Sequence, residues 1–146
     1  MLLVIDSGNT NVVFAVYDGD KRLGVWRCVN DPKRTADEYA VWLHQLMAIR
    51  DISFEDISRT ILASVVPETM FNLESLCRRY FDDNPILVRS DGSVNLGMEI
   101  KVKYPNQVGA DRIVNAIAGH KKYGGPLIIV DFGTATTFDI VDGEGN

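Results

Sequence analysis

The sequence predicts an α/β fold in which a mixed β-sheet carries helices on its faces, followed by the first hairpin of a second, duplicated domain. One observation is the order of elements, three strands before the first helix and then alternating strands and helices. Another is a repeated phrase: residues 2–8 read LLVIDSG and residues 127–133 read LIIVDFG. Both copies continue with a polar step containing threonine, a second apolar run and an Asp-Gly turn.

The first three strands are predicted to form an antiparallel meander. Leu2–Ile5 is short, apolar and branched, and Val12–Tyr17 is apolar throughout. The Asp-Gly pair at 18–19 is a strong hairpin signal and leads into Arg22–Val29. The turn residues Asn30–Pro32 then end the third strand.

Strands and helices alternate after the meander. Thr35 and Glu38 have the spacing of a capping box and begin the first helix. Arg59–Val66 reads as a fourth strand, and Pro67 opens the second helix because its missing N–H is not needed at that position. Ile86–Val88 is predicted as the fifth strand.

The segment Ser90–Gln107 has no clean periodicity and is predicted as a long loop with one short strand at Met98–Val102. Long loops in compact domains often carry function. A third helix is expected from Gly109 to Tyr123, and Gly124–Pro126 ends it.

The repeat defines the predicted domain organisation. Residues 1–123 form a first domain, and residues 124–146 begin a second, truncated one with strands Leu127–Val130 and Thr136–Val141. Because an isolated hairpin is marginally stable, we expect the natural protein to be longer.

Composition narrows the classes of function. Apolar residues make up 46% and charged residues 24%, as in ordinary globular domains. The net charge of −5 and the lack of a basic stripe argue against nucleic-acid binding. The sequence has no signal-peptide pattern and no apolar run of transmembrane length, so we expect a cytoplasmic protein without membrane association. Cys28 and Cys77 are expected to be reduced and partly buried, and His44 and His120 to be structural.

The repeated Asp-x-Gly phrase is one way to bind phosphate. Glycine lets the backbone approach an anion closely, and nearby N–H groups can point at it. A neighbouring carboxylate can hold a cation that neutralises the anion. For residues 6–10 the alternative is a plain hairpin turn, and for residues 131–137 it is a turn whose threonines satisfy the backbone. Two equivalent copies favour a pair of phosphate clamps.

Gly109–Arg112 marks the start of a helix after the irregular segment. The simple interpretation is that Asp111 is an N-cap and Arg112 a solvated side chain. The functional interpretation is that this helix start faces a cleft between the domains. There Asp111 can accept a proton from a substrate hydroxyl, and Arg112 can bind a substrate carboxylate in a bidentate grip.

The predicted order of elements resembles the actin-like ATPase fold, which is RNase H-like and is shared by sugar kinases, acetate kinases and Hsp70-type proteins. The phrases at 6–10, 109–112 and 131–137, in that order and spacing, resemble the type III pantothenate kinase family. Residues 104–106 and 64–67 are also similar to that family, and the resemblance spans essentially the whole chain.

The resemblance implies ATP-dependent phosphorylation of pantothenate to 4′-phosphopantothenate, the first step of coenzyme A biosynthesis. It implies that Asp111 is the general base, that Asp6 lies near Mg²⁺ and that Asp131 binds a monovalent cation, K⁺ or NH₄⁺. It also implies a homodimer with its sites near the subunit interface. The expected pantothenate contacts are Tyr104, Gly109 and Arg112. The expected ATP-phosphate contacts are Asp6, Gly8, Asn9, Thr10, Gly133, Thr134 and Thr136.

Three alternatives remain open. Another actin-like small-molecule kinase, for a sugar or acetate, is disfavoured by the Asp111–Arg112 pair, which suits a substrate with both a hydroxyl and a carboxylate. A non-enzymatic regulatory member of the fold would not need Asp111. An RNase H-like nuclease would need several clustered carboxylates around two metal ions. Since half of the predicted cleft is missing, we expect the 146-residue piece alone to lack kinase activity.

Overall fold

The computed structural model describes all residues from 1 to 146, and the chain divides into two compact units, Met1–Leu87 and Val88–Asn146. The predicted domain boundary after residue 123 falls inside the second unit and stays a prediction. The elements of the first unit are β1 (Leu2–Ser7), β2 (Asn11–Asp18), β3 (Lys21–Val29), α1 (Ala36–Ala48), β4 (Arg59–Ser64), α2 (Pro67–Tyr80) and β5 (Ile86–Leu87). Those of the second unit are α3 (Ala110–Tyr123), β6 (Leu127–Phe132) and β7 (Thr136–Val141).

The first unit contains a five-stranded mixed sheet in the order β3-β2-β1-β4-β5. The predicted meander is confirmed, because β1 pairs with β2 and β2 with β3 in antiparallel fashion. The strands that follow helices pair in parallel, β4 with β1 and β5 with β4. β1 therefore lies at the centre, between an antiparallel and a parallel neighbour.

The core of the first unit lies between one face of this sheet and the two helices. Alternate residues of β1 and β2 point into it because side chains on a strand alternate between faces. The Phe14 ring contacts Tyr39 and Trp42 of α1, with centroid separations of 5.7 and 5.6 Å. The completely buried apolar residues include Leu3, Ile5, Val12, Phe14, Val16, Tyr39, Leu43, Met47, Leu73 and Leu76.

Both predicted helix starts in this unit are confirmed. The Thr35 hydroxyl accepts a hydrogen bond from the Glu38 N–H at 3.3 Å, and a Glu38 carboxylate oxygen accepts one from the Thr35 N–H at 2.8 Å. These two bonds satisfy donors that the first turn of a helix leaves unpaired. Pro67 is the first residue of α2.

The second unit combines an irregular segment, α3 and the β6–β7 hairpin. The short strand predicted at Met98–Val102 is wrong, since these residues form no strand. Their alternation of apolar and charged residues is strand-like, but no other strand pairs with them. The segment is held instead by side chains, with the Glu99 N–H donating to Asn146 Oδ1 at 2.8 Å and Lys101 paired with Asp142 at 2.9 Å.

The β6–β7 hairpin pairs Leu127 with Val141 at one end and Phe132 with Thr136 at the other. A Cβ added at Gly119 of α3 would lie 3.1 Å from Ile129 Cδ1, so the helix approaches this hairpin closely. The opposite face is apolar and exposed; it consists of Ile128, Val130, Phe132, Phe138 and Ile140.

The two cysteines are free, as predicted, and burial raises the pKa of the Cys77 thiol to about 11. His44 lies edge-on to the ring of Phe54, at a centroid distance of 5.2 Å. None of the three helices has the length and apolar character that crossing a membrane requires.

Candidate functional site

The first candidate phosphate loop is the turn between β1 and β2. The Gly8 N–H donates to the Asn11 carbonyl at 3.0 Å and closes the turn, so this amide is not available to a ligand. The next two N–H groups, those of Asn9 and Thr10, donate to no backbone carbonyl, and both residues are exposed. Asp6, near the end of β1, is exposed as well. The donors that this turn can offer an anion are therefore those that follow the glycine.

Asn30, which follows β3, holds this turn in place through hydrogen bonds. Its Nδ2 donates to the Gly8 carbonyl at 2.6 Å and to Ser7 Oγ at 3.1 Å, and its N–H donates to the Thr10 carbonyl at 2.9 Å. Ser7 Oγ also shares a hydrogen bond of 3.0 Å with Thr69 Oγ1 of α2. Sequence reasoning treated Asn30 only as a strand end. Its position directly after the strand that pairs with β2 was the available signal.

The turn between β6 and β7 also closes through the N–H of its glycine, but one residue sooner than the first turn. The Gly133 N–H donates to the Ala135 carbonyl at 3.2 Å, and the N–H groups of Thr134 and Ala135 donate to no backbone carbonyl. Thr134 and Thr136 are exposed. The half-buried carboxylate of Asp131, opposite Thr137 in the hairpin, makes no hydrogen bond or ion pair within the chain. An unpaired carboxylate beside unpaired amides suits a cation together with an anion.

Asp111 is the second residue of α3 and not its N-cap, which is Gly109. Its Oδ1 accepts a hydrogen bond from the Arg112 N–H at 2.8 Å, and its other oxygen makes no hydrogen bond. The bond fixes the carboxylate at the positive end of the helix dipole. One oxygen is left to accept a proton.

The side chain of Arg112 forms an ion pair with Asp139 of β7 and is not simply solvated. Nε of Arg112 donates a hydrogen bond to Oδ1 of Asp139, and Nη2 lies in ion-pair contact with the same oxygen. This hydrogen bond raises the pKa of the guanidinium above its ordinary value, so Arg112 is permanently charged. Sequence reasoning missed Asp139, although a carboxylate at an inward position of an apolar strand is an unusual signal.

A cavity of about 760 Å³ in the second unit brings together two of the predicted pantothenate contacts, Tyr104 and Arg112. Gly109 and Asp111 are not part of its lining. Asp131 lines a separate cavity of about 510 Å³ together with residues of α3 and β6. The wall of the larger cavity also includes Met98, Ile100, Val102, Gln107, Ile113, Phe138 and Asp139.

Lys101 secures the irregular wall of the larger cavity. Its Nζ lies 2.9 Å from Asp142 and 3.6 Å from Glu144. The N–H of Asn146 and the Lys101 ammonium hold the pKa of Asp142 well below its ordinary value, so this carboxylate stays charged. Lys103 lies 5.1 Å from the ring centroid of Tyr104. Of the basic groups around the cavity, Arg112 is the one attached to a helix.

Comparison with solved structures identifies the fold class. A candidate N-acetylglucosamine kinase from Porphyromonas gingivalis superposes on 99% of this chain and 45% of its own length, with a TM-score of 0.52 and 15% sequence identity. That likeness and the sheet order confirm the predicted actin-like ATPase fold.

Within that class the chain belongs to the type III pantothenate kinase family, whose sequence profile matches residues 2–146. It is 60% identical over 146 residues to the type III pantothenate kinases of Paramagnetospirillum magneticum and Rhodospirillum rubrum. The match covers the whole of this chain and 56% of each relative, so the chain spans about half of their length.

The role of Asn30 can be tested through stability. Replacing Asn30 by Ala leaves the Gly8 carbonyl and Ser7 Oγ without their donor. We expect the free energy of unfolding to fall by about 1–3 kcal/mol, as for other unsatisfied polar groups. Urea unfolding measures this, with Asn84→Ala at an exposed position as the matched control. Equal stabilities of the two variants would show that Asn30 does not hold the turn.

Proposed function

We propose that the full-length protein transfers the γ-phosphoryl group of ATP to the hydroxyl of pantothenate, giving 4′-phosphopantothenate in the first step of coenzyme A biosynthesis. The observation that carries this proposal is the family match over residues 2–146. The cavity that gathers Tyr104 and Arg112 supports it independently, because it combines an apolar wall with a fixed cation.

Pantothenate has a carboxylate at one end and the reacting hydroxyl at the other. In this proposal the guanidinium of Arg112 binds the carboxylate, since its planar fork matches that group in a bidentate manner. Tyr104, which is 57% exposed, offers its ring and hydroxyl to the same ligand. Gly109 contributes backbone at the helix start, where no side chain obstructs the approach.

Asp111 acts as the general base. Its Oδ1 is held by the Arg112 N–H, and its second oxygen can accept the proton of the substrate hydroxyl as that oxygen attacks phosphorus. A fixed carboxylate orients the nucleophile for in-line attack, and positioning is the main contribution a protein makes to phosphoryl transfer.

The two glycine turns bind the ATP phosphates. In the first turn the donors are the N–H groups of Asn9 and Thr10, and Gly8 gives close access to the backbone of the turn. In the second turn Gly133 likewise gives close access to the backbone. Thr134 and Thr136 add hydroxyl donors.

Two cations fit the carboxylates of these turns. Asp6 is exposed beside the first turn and would hold Mg²⁺, which prefers carboxylate oxygens. Asp131 has no partner within the chain and would hold K⁺ or NH₄⁺ beside the second turn. When bound, such ions neutralise the charge of the phosphates.

The proposed function also includes the oligomeric state and the domain organisation of the full-length protein. The protein acts as a cytoplasmic homodimer, its first domain comprises residues 1–123, and the second domain begins at residue 124. The duplicated turns support the two-domain arrangement, because each closes through its glycine and leaves the next two N–H groups without a backbone acceptor.

The activity itself is the first test. Purified full-length protein with Mg-ATP and K⁺ is expected to form ADP when pantothenate is added, followed with a coupled assay. N-acetylglucosamine and acetate, the substrates of other kinds of actin-like kinase, serve as controls and should give no turnover. ADP formation with either of them and not with pantothenate would refute the proposal.

The general base gives a second prediction. Asp111→Asn should lower kcat by roughly 10²–10⁴, the usual contribution of a positioned base, with a much smaller change in pantothenate binding. Steady-state kinetics and calorimetric binding measure the two effects. Asp91→Asn removes an exposed carboxylate outside both cavities and should leave kcat unchanged. An unchanged kcat in Asp111→Asn would restrict Asp111 to a structural role at the helix start.

The monovalent cation gives a third prediction. Asp131→Ala should abolish activation by K⁺ while the protein stays folded, because the carboxylate has no internal partner to lose. Activity is measured against K⁺ concentration, with circular dichroism as the check on folding. Asp20→Ala in the exposed turn after β2 is the matched control and should respond to K⁺ like the parent. Equal stimulation of Asp131→Ala and the parent would exclude this role.

A further inference from the structure

Asp139 is a buried carboxylate for which the proposed reaction has so far given no role. It lies on the inward face of β7, two residues before the buried Val141, and only 9% of it is exposed. Its Oδ1 accepts a hydrogen bond from Arg112 Nε and lies in ion-pair contact with Nη2. Its Oδ2 is buried and has no hydrogen-bond partner.

The pair leaves part of the Arg112 guanidinium open. An arginine has five N–H donors in a rigid plane. Asp139 occupies the edge formed by Nε and Nη2, whereas Nη1 and the second hydrogen of Nη2 make no hydrogen bond within the chain. Two parallel N–H groups on that second edge can hold a carboxylate in the bidentate manner. Arg112 lines the larger cavity, so an anion bound there can reach this edge.

Stability does not explain the pair. Burying a carboxylate is costly, and leaving one of its oxygens without a donor adds to the cost. Arg112 keeps 43% of its side chain exposed and would be hydrated without its partner. Replacing buried ion pairs by apolar residues is often neutral or stabilising. The benefit of Asp139 must therefore come from its effect on Arg112.

We propose that Asp139 is a positioning residue, which holds one edge of the Arg112 guanidinium so that the other edge is presented in fixed orientation to a substrate carboxylate in the cavity. The proposal deepens the proposed function, since it takes Arg112 as the carboxylate contact. A free arginine side chain would lose rotamer freedom on binding, and Asp139 removes that loss in advance.

The decisive experiment compares Asp139→Ala with Asp139→Asn in the full-length protein. Asparagine keeps an oxygen acceptor for the guanidinium, and alanine does not. We expect Asp139→Ala to raise the KM for pantothenate about tenfold or more, which corresponds to losing roughly one charge-assisted hydrogen bond. The kcat and the KM for ATP should stay close to the parent values, and Asp139→Asn should restore most of the affinity.

Thermal unfolding of the same variants separates positioning from a structural role. The midpoint for Asp139→Ala should be unchanged or higher, because the variant removes a buried oxygen that lacks a donor and the partly exposed Arg112 can be hydrated without its partner. A lower midpoint together with equal increases in the KM for ATP and for pantothenate would identify a structural role and overturn the proposal. A pantothenate KM that is unchanged or lower in Asp139→Ala, or equally raised in the asparagine variant, would also overturn it.

An NMR measurement of the Arg112 Nε–H group tests the contact without any turnover. The parent should give a slowly exchanging signal, assigned by its loss in Arg112→Lys, and Asp139→Ala should lose that slow exchange. Rapid exchange of the Arg112 Nε–H in the parent would overturn the proposal, even if the Asp139→Ala variant does not fold. Failure of the parent to phosphorylate pantothenate would instead refute the proposed function, while the NMR result would still decide whether Asp139 holds Arg112.

Discussion

The parallel pairing of β1 with β4 determines where the polar groups of the first unit lie. It aligns Ser7 with Ser64, and the Val65 N–H then donates to the Ser7 carbonyl at 3.1 Å. The chain enters α2 at Pro67 directly afterwards, which brings Thr69 to the Ser7 hydroxyl. The end of the central strand is thereby hydrogen-bonded to a neighbouring strand and to a helix. These bonds also restrict the movement of the turn that follows the strand. A turn that binds phosphate benefits, because donors fixed in advance need no reorganisation when the anion arrives.

The two glycine turns both close through a glycine N–H, but they differ in length and in their support. Each closes through the N–H of its glycine and leaves the following two N–H groups without a backbone acceptor. The first is fixed by three hydrogen bonds from Asn30, to Ser7, Gly8 and Thr10. In the second, Asp131 has no partner within the chain. The repeated phrase therefore predicts a turn that closes through its glycine, and the support of the first turn comes from Asn30, which is distant in sequence.

Buried oxygen atoms without a donor occur beside both candidate regions. Asn30 Oδ1 lies under the first turn, and Asp139 Oδ2 lies behind Arg112. Most buried polar groups in proteins are hydrogen-bonded, because an unpaired one lowers stability. In both cases the other polar atoms of the same side chain hold a proposed ligand-binding element. Such exceptions concentrate at functional sites, where a local loss of stability is balanced by other parts of the fold.

The sequence by itself determined the features that depend on local chemistry. The short apolar strands, the Thr35–Glu38 capping box, Pro67 at a helix start and the Asp-x-Gly turns all depend on a few neighbouring residues, and each was predicted close to its observed place. The order of elements predicted the fold class, and the phrases at 6–10, 109–112 and 131–137 resembled the family; the comparisons confirm both. The strand expected at Met98–Val102 failed because a strand needs a partner, and the alternation of its own residues says nothing about one. Only the tertiary structure decided that Asn30 supports the turn 22 residues before it and that Asp139 holds Arg112 from 27 residues away. These contacts depend on the folded positions of β1, β3, β7 and α3, which local residue preferences do not encode.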